Sequence, residues 1–167
     1  TWLLRDLTAL VARDERTQII KNLMESGKAA ARHESKGDMY KAIETLKTAI
    51  TLAAETLDED KGIFLAAARL QLRETIDRLG ARLVSAMENA ATPDTMKVAI
   101  LEAERATQDG SCPLFTADVL EPYRKKMDEW YAVQFTSALE NADSLLVLEA
   151  AIKEAEEQAS HSQSLTA

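Results

Sequence analysis

The chain is poor in the residues that make tight turns, disulfides and membrane spans. Five Gly and three Pro in 167 residues are too few for a sandwich or barrel of many short strands, so an all-β fold is excluded. The single cysteine, Cys112, cannot form an internal disulfide, which favours a reducing compartment. No apolar run approaches the roughly 18 residues of a membrane span, and the first residues lack the pattern of a secretory signal. We therefore expect an intracellular, cytoplasmic protein without membrane insertion.

Charge is the second constraint on function. The chain has 20 Lys and Arg against 28 Asp and Glu, a net charge of −8, and this balance argues against a nucleic-acid partner, because a phosphate backbone requires clustered Lys and Arg. The charge is also uneven. Residues 1–36 hold seven basic and five acidic residues, a net +2, whereas residues 139–167 hold one Lys and six acids, a net −5. Ends of opposite sign favour self-association head to tail.

Apolar residues recur at three- and four-residue spacing almost throughout the chain, which predicts an all-α fold. Turn signals divide it: Gly37-Asp38 can end one helix and cap the next, and Thr92-Pro93 is an N-cap followed by a proline at the first helical position. The apolar loop at 109–116 is expected to fold back onto the helices. The helices are predicted at about residues 1–34, 39–56, 63–90, 93–108, 118–141 and 143–159, with a disordered tail at 160–167.

The sequence repeats itself. The hexapeptide at 85–90, Ser-Ala-Met-Glu-Asn-Ala, returns at 137–142 as Ser-Ala-Leu-Glu-Asn-Ala, an offset of 137 − 85 = 52 residues. The segment at 99–104 returns at 151–156 with the same offset. A helical hairpin of about this length cannot bury its own apolar stripe, so neighbouring units are expected to stack.

A third, more diverged copy lies earlier, where Ala42-Ile43 precede Ala99-Ile100 by 57 residues. The whole pattern predicts one helical repeat domain, a solenoid or extended bundle of three stacked antiparallel hairpins. The domain covers residues 1–159, with units at about 1–57, 63–108 and 118–159.

Small residues recur in the middle of the first helix of each unit. Gly27 precedes Gly80 by 53 residues, and Gly80 precedes Ala132 by 52. Because Gly in a helix interior costs about 1 kcal/mol relative to Ala, its placement there predicts the close approach of a neighbouring helix.

Parts of the chain resemble known helical families. The segment from Gly27 to Ile50, whose core reads GDMYKAIETLKTAI, resembles a tetratricopeptide helix pair. Residues 17–83 are similar to the three helices of the microtubule-interacting-and-trafficking domain, a family that binds partner helices in a groove between its own helices. The later units, through LEAAIKEAE at 148–156, resemble helical-hairpin arrays of large cytoskeletal and signalling proteins. These resemblances imply a helical fold rather than a biochemical activity.

The chain offers little for catalysis or metal binding. His33 and His161 lie outside the Glu-x-x-His and His-Glu-x-x-His patterns that place metal ligands on one helical face. Cys112 has no neighbouring base to activate its thiol. The carboxylates at 58–60 and 154–157 lack the alternating oxygen ligands of a calcium loop and are typical of solvated helix ends. We predict a non-enzymatic protein with no cofactor or metal site.

Two sets of apolar residues are candidates for contact with a protein partner. Trp2, Leu3 and Leu7 lie on the first helix, where no preceding repeat unit would cover them. Trp130 and Tyr131 are adjacent aromatic residues, so one can pack in the core while the outward one anchors a partner.

Three classes of function follow. The leading expectation is a protein–protein interaction or scaffold module, and the absence of an initiator Met together with an apolar first helix indicates a fragment of a larger cytoskeletal or signalling protein. The alternative is a trafficking adaptor that binds partner helices in a groove formed by residues 17–83. A helical-bundle enzyme or ligand carrier would need a buried polar pocket, for which the sequence offers no buried His or paired carboxylates.

Overall fold

The computed structural model describes residues 2–32, 35–55, 61–141, 149–150 and 152–157, with side chains from residue 11 onward except those of 61 and 63. Within these ranges the chain is all-α and contains no strand, which confirms the predicted fold class. Residues 149–150 and 152–157 are helical. The longer helices are α1 (Trp2–Arg32), α2 (Lys36–Glu55), α3 (Lys61–Glu88), α4 (Pro93–Gln108) and α5 (Ala117–Glu140).

The helix boundaries follow the local capping chemistry. Helix α4 occupies the predicted range, because Thr92 and Thr95 form a capping box in which each side chain accepts the other residue's backbone N–H. Helix α2 begins three residues before its predicted start, since the Ser35 hydroxyl accepts the N–H of Asp38 at 3.4 Å. The predicted helix start at Asp143 and the predicted tail at 160–167 lie outside the described residues.

Each helix packs against the next one along the chain, and α3 connects two apolar clusters. With 28 residues at about 1.5 Å each, α3 is about 42 Å long and reaches both clusters. The first cluster joins α1, α2 and the start of α3 through Ile20, Met24, Ala49, Ala53 and Ala68. The second joins α2 to α5 and includes Ile43, Leu79, Leu83, Met96, Ile100, Met127 and Tyr131.

Helices α2 and α4 pack in the same register. At the offset of 57 residues their buried positions coincide, and the N-caps Ser35 and Thr92 correspond as well. The repeat seen in the sequence at Ala42-Ile43 therefore extends over the whole buried face. The matching pairs are Met39 and Met96, Ala42 and Ala99, Ile43 and Ile100, Leu46 and Ala103, and Ala49 and Ala106.

Helices α3 and α5 correspond at the offset of 52 residues. At the end of α3 the Asn89 side chain donates to the Ser85 carbonyl at 2.8 Å, and at the end of α5 the Asn141 side chain donates to the Ser137 carbonyl at 2.7 Å. The buried residues of α3 are equivalent to buried residues of α5: Ala68 to Leu120, Thr75 to Met127 and Leu79 to Tyr131. The correspondence weakens towards the C-terminus, where Met87 is buried but its counterpart Leu139 is exposed.

The loop between α4 and α5 folds back onto α3, as the sequence predicts. Gly110 starts the reversal with φ of +72°, in the left-handed region that favours glycine. Cys112 is fully buried, its backbone N–H donates to the Ala106 carbonyl at 2.8 Å, and its Sγ lies 3.9 Å from the Ile76 carbonyl oxygen on α3.

The three small residues predicted to allow close helix packing differ in their surroundings. A Cβ atom at Gly27 would lie 2.8 Å from Cγ of Leu46, so α1 and α2 approach closely there. Gly80 is buried against the loop instead, where a Cβ would lie 3.0 Å from Cδ1 of Leu114. Ala132 is exposed, so the close packing predicted at this position is corrected.

The difference has a geometric reason. The pattern of buried positions along α1 matches that along α3 at an offset of 52 residues. Gly27 is therefore equivalent to Leu79 in the repeat, and not to Gly80. A shift of one residue turns a side chain by about 100° around a helix, so the two glycines lie on different faces.

Candidate partner-binding surface

The residues predicted to contact a partner differ in how the structure describes them. Trp2, Leu3 and Leu7 belong to α1 by their backbone, but their side chains are outside the described ones, so the contact predicted for them stays a prediction. Trp130 and Tyr131 are both described, and they differ in orientation.

Tyr131 points into the core. It is 9% exposed, its hydroxyl donates to Oδ1 of Asp94 at 2.9 Å, and its ring stacks on that of Phe135. Burial raises the pKa of Tyr131 to about 12, and the hydrogen bond to Asp94 acts in the same direction. Tyr131 thus joins α5 to the start of α4, and the partner contact predicted for it is corrected to a contact inside the fold.

Trp130 is the outward member of the pair. Its side chain is half-buried, and the Nζ atom of Lys126 lies 4.7 Å from the centre of its ring system. A cation over the indole face at this distance is attracted by the ring electrons and restricts the ring. Trp130 also lines a groove on the surface of the protein.

That groove lies between α5 and the turn that connects α3 to α4. It has a volume of about 640 Å³, and its lining contains no charged side chain. Val133 belongs to its apolar lining and has 69% of its surface exposed. We name it the α5 groove; its residues are Ala91, Thr92, Pro93, Trp130, Val133, Gln134, Ser137, Ala138 and Asn141.

The repeat shows how this surface differs from its copy on α3. At the offset of 52 residues, Trp130 and Val133 replace Arg78 and Ala81, both of which are exposed. The buried positions of the two helices stay mostly apolar, while on the outward face a charged Arg is replaced by Trp and a small Ala by the larger Val. Sequence reasoning missed Val133, although a residue-by-residue comparison of the two copies contains the signal.

A second, smaller groove lies between α1 and α2. Its volume is about 220 Å³, and it is lined by Ile19, Ile20 and Leu52 with Arg16 and Glu55 at its edges. Ile19 is half-exposed although it is a large apolar residue. We name it the α1–α2 groove; nearly all of it falls in the range 17–83 where a groove for partner helices was predicted.

A third groove, between α2 and α4, is polar. Its volume is about 530 Å³, and an ion pair between Lys36 and Glu102, with Nζ and Oε2 2.5 Å apart, connects the two helices. Burial raises the pKa of Tyr40, and a hydrogen bond from the Ser111 side chain lowers the pKa of Asp109. Arg105 of α4 also lines the groove, so the basic and acidic side chains compensate each other, which gives a surface of mixed charge rather than a site for one ion.

Cys112 and the acidic side chains are the remaining candidates for chemistry in the described ranges. Burial raises the pKa of the Cys112 thiol, which is the opposite of what a nucleophilic cysteine needs. Within the described ranges, no group of three or more His, Cys, Asp or Glu side chains could hold a metal ion. Of the helices in those ranges, none has both the length and the apolar character needed to cross a membrane.

Neither a protein-family model nor a curated protein nor a solved structure matches this chain. Function is therefore inferred from the grooves and from the repeat that relates them.

Proposed function

We propose that this protein is a non-enzymatic protein–protein interaction module and that its α5 groove binds an amphipathic helix of a partner protein. The observation that supports this function is the substitution of Arg78 and Ala81 on α3 by Trp130 and Val133 on α5. A polar residue at position 133 would serve the fold equally well, because the site is largely exposed. A half-buried Trp beside an exposed apolar residue in a groove is typical of a contact surface.

The shape of the α5 groove favours a helix as its occupant. From Trp130 to Asn141 the groove runs along the last 11 residues of α5 and its C-cap, about 16 Å or three helical turns. A partner helix would place side chains at positions i, i+3, i+4 and i+7 along such a groove. A peptide that binds by adding a β-strand needs a strand edge, and the walls of the groove are a helix and a helix start.

The charge around the groove favours a basic partner. Lys126 lies over the Trp130 ring, but from residue 128 onward the described residues include seven acids and a single lysine, Lys153. Acidic residues around an apolar groove attract a basic helix over a range of about 10 Å at moderate salt and repel an acidic one. The proposed partner is therefore an amphipathic helix whose polar face carries Lys and Arg.

Fluorescence titration tests this function. The chain contains two Trp, so Trp2→Phe leaves Trp130 as the sole reporter. The titrants are three designed amphipathic helical peptides with one apolar stripe and with basic, neutral or acidic polar faces. We expect a saturable blue shift that is strongest with the basic peptide.

Two substitutions make the test specific. Val133→Arg should weaken binding at least about tenfold, which corresponds to about 1.4 kcal/mol. Val98→Arg is the matched control, because Val98 on α4 is 65% exposed and lies outside the α5 groove, and it should leave the affinity unchanged. Equal loss of binding in both variants, or none in Val133→Arg, would contradict the proposal.

The trafficking-adaptor alternative has one observation in its favour, the exposed Ile19 in the α1–α2 groove. It predicts that Ile19→Arg removes peptide binding while Val133→Arg leaves binding intact. The same titration, with each variant in turn, therefore separates the two functions.

A further inference from the structure

The third repeat unit exposes a position that the first two units bury. Ile43 and Ile100 are equivalent residues of α2 and α4, and they are 0% and 2% exposed. Ile152, which follows Ile100 by 52 residues, is 46% exposed. The neighbouring position shows the same trend, since Leu46 and Ala103 are fully buried and Ala155 is only partly buried.

In the first two units the helix that carries this position packs against the first helix of the following unit, α2 on α3 and α4 on α5. Ile43 belongs to the same cluster as Leu79 of α3, and Ile100 to the same cluster as Met127 of α5. The equivalent cover for Ile152 would be another helix that begins a unit. The chain supplies such a helix as α1, which a second copy can present.

Helix α1 has a surface that matches residues 149–157. Ile19 is half-exposed at the α1–α2 groove, and Val11 is half-exposed two turns earlier on α1. Arg16 of α1 and Glu55 of α2 line this groove, while Glu149 and Glu156 stand three and four residues from Ile152 and face the α1 side of the groove in the arrangement proposed below. Residues 11–32 hold five basic and three acidic residues, whereas the described residues of 149–157 hold four acids and one lysine.

We propose that copies of this chain associate head to tail, with the helical residues 149–150 and 152–157 of one copy seated in the α1–α2 groove of the next. Ile152 and Ala155 contact Ile19 and Leu52, and the acids beside Ile152 face Arg16. The contact continues the helix-on-helix packing of the repeat from one molecule to another, and it does not involve the α5 groove.

Sedimentation velocity of the full chain tests the assembly. We expect the mean mass to rise with protein concentration at low salt, and the dissociation constant to increase several-fold when salt screens the opposite charges. Arg16→Glu and Glu156→Arg should each raise the dissociation constant at least about tenfold. The chain that carries both changes should recover most of the affinity, because opposite charges face each other again.

Matched variants make the result specific. Arg73→Glu makes the same charge change at an exposed site on α3 and should leave association unchanged, as should Val133→Arg in the α5 groove. Circular dichroism verifies that every variant keeps its helices. A chain that stays monomeric at millimolar concentration and low salt, an equal effect of Arg16→Glu and Arg73→Glu, or a failure of the double variant to recover would each overturn the proposal. Because peptide binding is tested at Val133, failure of the assembly is distinguishable from failure of the proposed function.

Discussion

Replacement of Gly27 by Ala measures how closely α1 and α2 approach. The added methyl would gain about 1 kcal/mol, because Ala is the better helix former. Its Cβ would, however, lie 2.8 Å from Cγ and 2.9 Å from Cδ2 of Leu46. Leu46 is fully buried, and Cγ is the branch point of its side chain, so the clash cannot be relieved by moving a flexible end. Overpacking of this kind costs about 1–3 kcal/mol, which predicts a net loss of up to about 2 kcal/mol.

A double-mutant cycle tests this balance, because the effect of Gly27→Ala on the free energy of unfolding should change sign when Leu46 is also replaced. Leu46→Ala removes the clashing atoms and by itself costs about 2–5 kcal/mol through the cavity it leaves. In that background Gly27→Ala meets no obstacle and should stabilise the protein by up to about 1 kcal/mol. The same substitution should therefore destabilise the wild-type chain and stabilise the Leu46→Ala chain.

Urea unfolding followed by circular dichroism gives the four free energies of unfolding. Gly62→Ala is the control, since a Cβ at Gly62 would meet nothing within 4 Å and only the helix preference remains. If Gly27→Ala stabilised the wild-type chain as much as the Leu46→Ala chain, α1 and α2 would not be in contact at Gly27, and the packing described for this pair would be wrong.

Three further predictions concern single groups. Tyr131→Phe should lower the free energy of unfolding by about 1–2 kcal/mol through loss of the bond to Asp94. The pKa of Tyr131 rises from 10.0 to about 12 on folding. The contribution of this group to the free energy of unfolding should therefore be constant below pH 10 and decrease between pH 10 and 12. Unfolding measured as a function of pH should show a larger decrease in the wild type than in Tyr131→Phe. Thr92→Ala should cost about 1 kcal/mol in urea unfolding and more than Ser35→Ala, because Thr92 belongs to a reciprocal capping box with Thr95 whereas Ser35 accepts only the N–H of Asp38. The Cys112 thiol should react with a disulfide reagent only as fast as the protein opens, so that denaturant accelerates the absorbance change.

Capping signals allowed the sequence to predict α4 to the residue. Thr92-Pro93 combines a side-chain acceptor with a proline whose fixed φ suits the first helical position, so local chemistry alone determines where α4 begins. The start of α2 was placed three residues too late, because Asp38 was expected to cap the helix, whereas in the folded chain Ser35 accepts the N–H of Asp38 and α2 begins at Lys36.

Side-chain environment depends on tertiary contacts that a repeat offset alone does not specify. Gly80 and Ala132 occupy equivalent places in the sequence, yet the loop at 109–116 covers the first and nothing described covers the second. The aromatic pair divided as expected into one inward and one outward member. Which member faced inward depended on Asp94, a residue of α4 that lies 37 positions away in the chain.

Methyl NMR with the basic amphipathic peptide tests the central claim, that the α5 groove is the interaction surface. Val133 and Val98 provide two methyl reporters of almost equal exposure on different helices, and Ile19 and Leu52 report on the α1–α2 groove. We predict that the peptide shifts the Val133 methyl resonances and leaves those of Val98 in place. Shifts confined to Ile19 and Leu52, or of equal size at Val98 and Val133, would contradict the account.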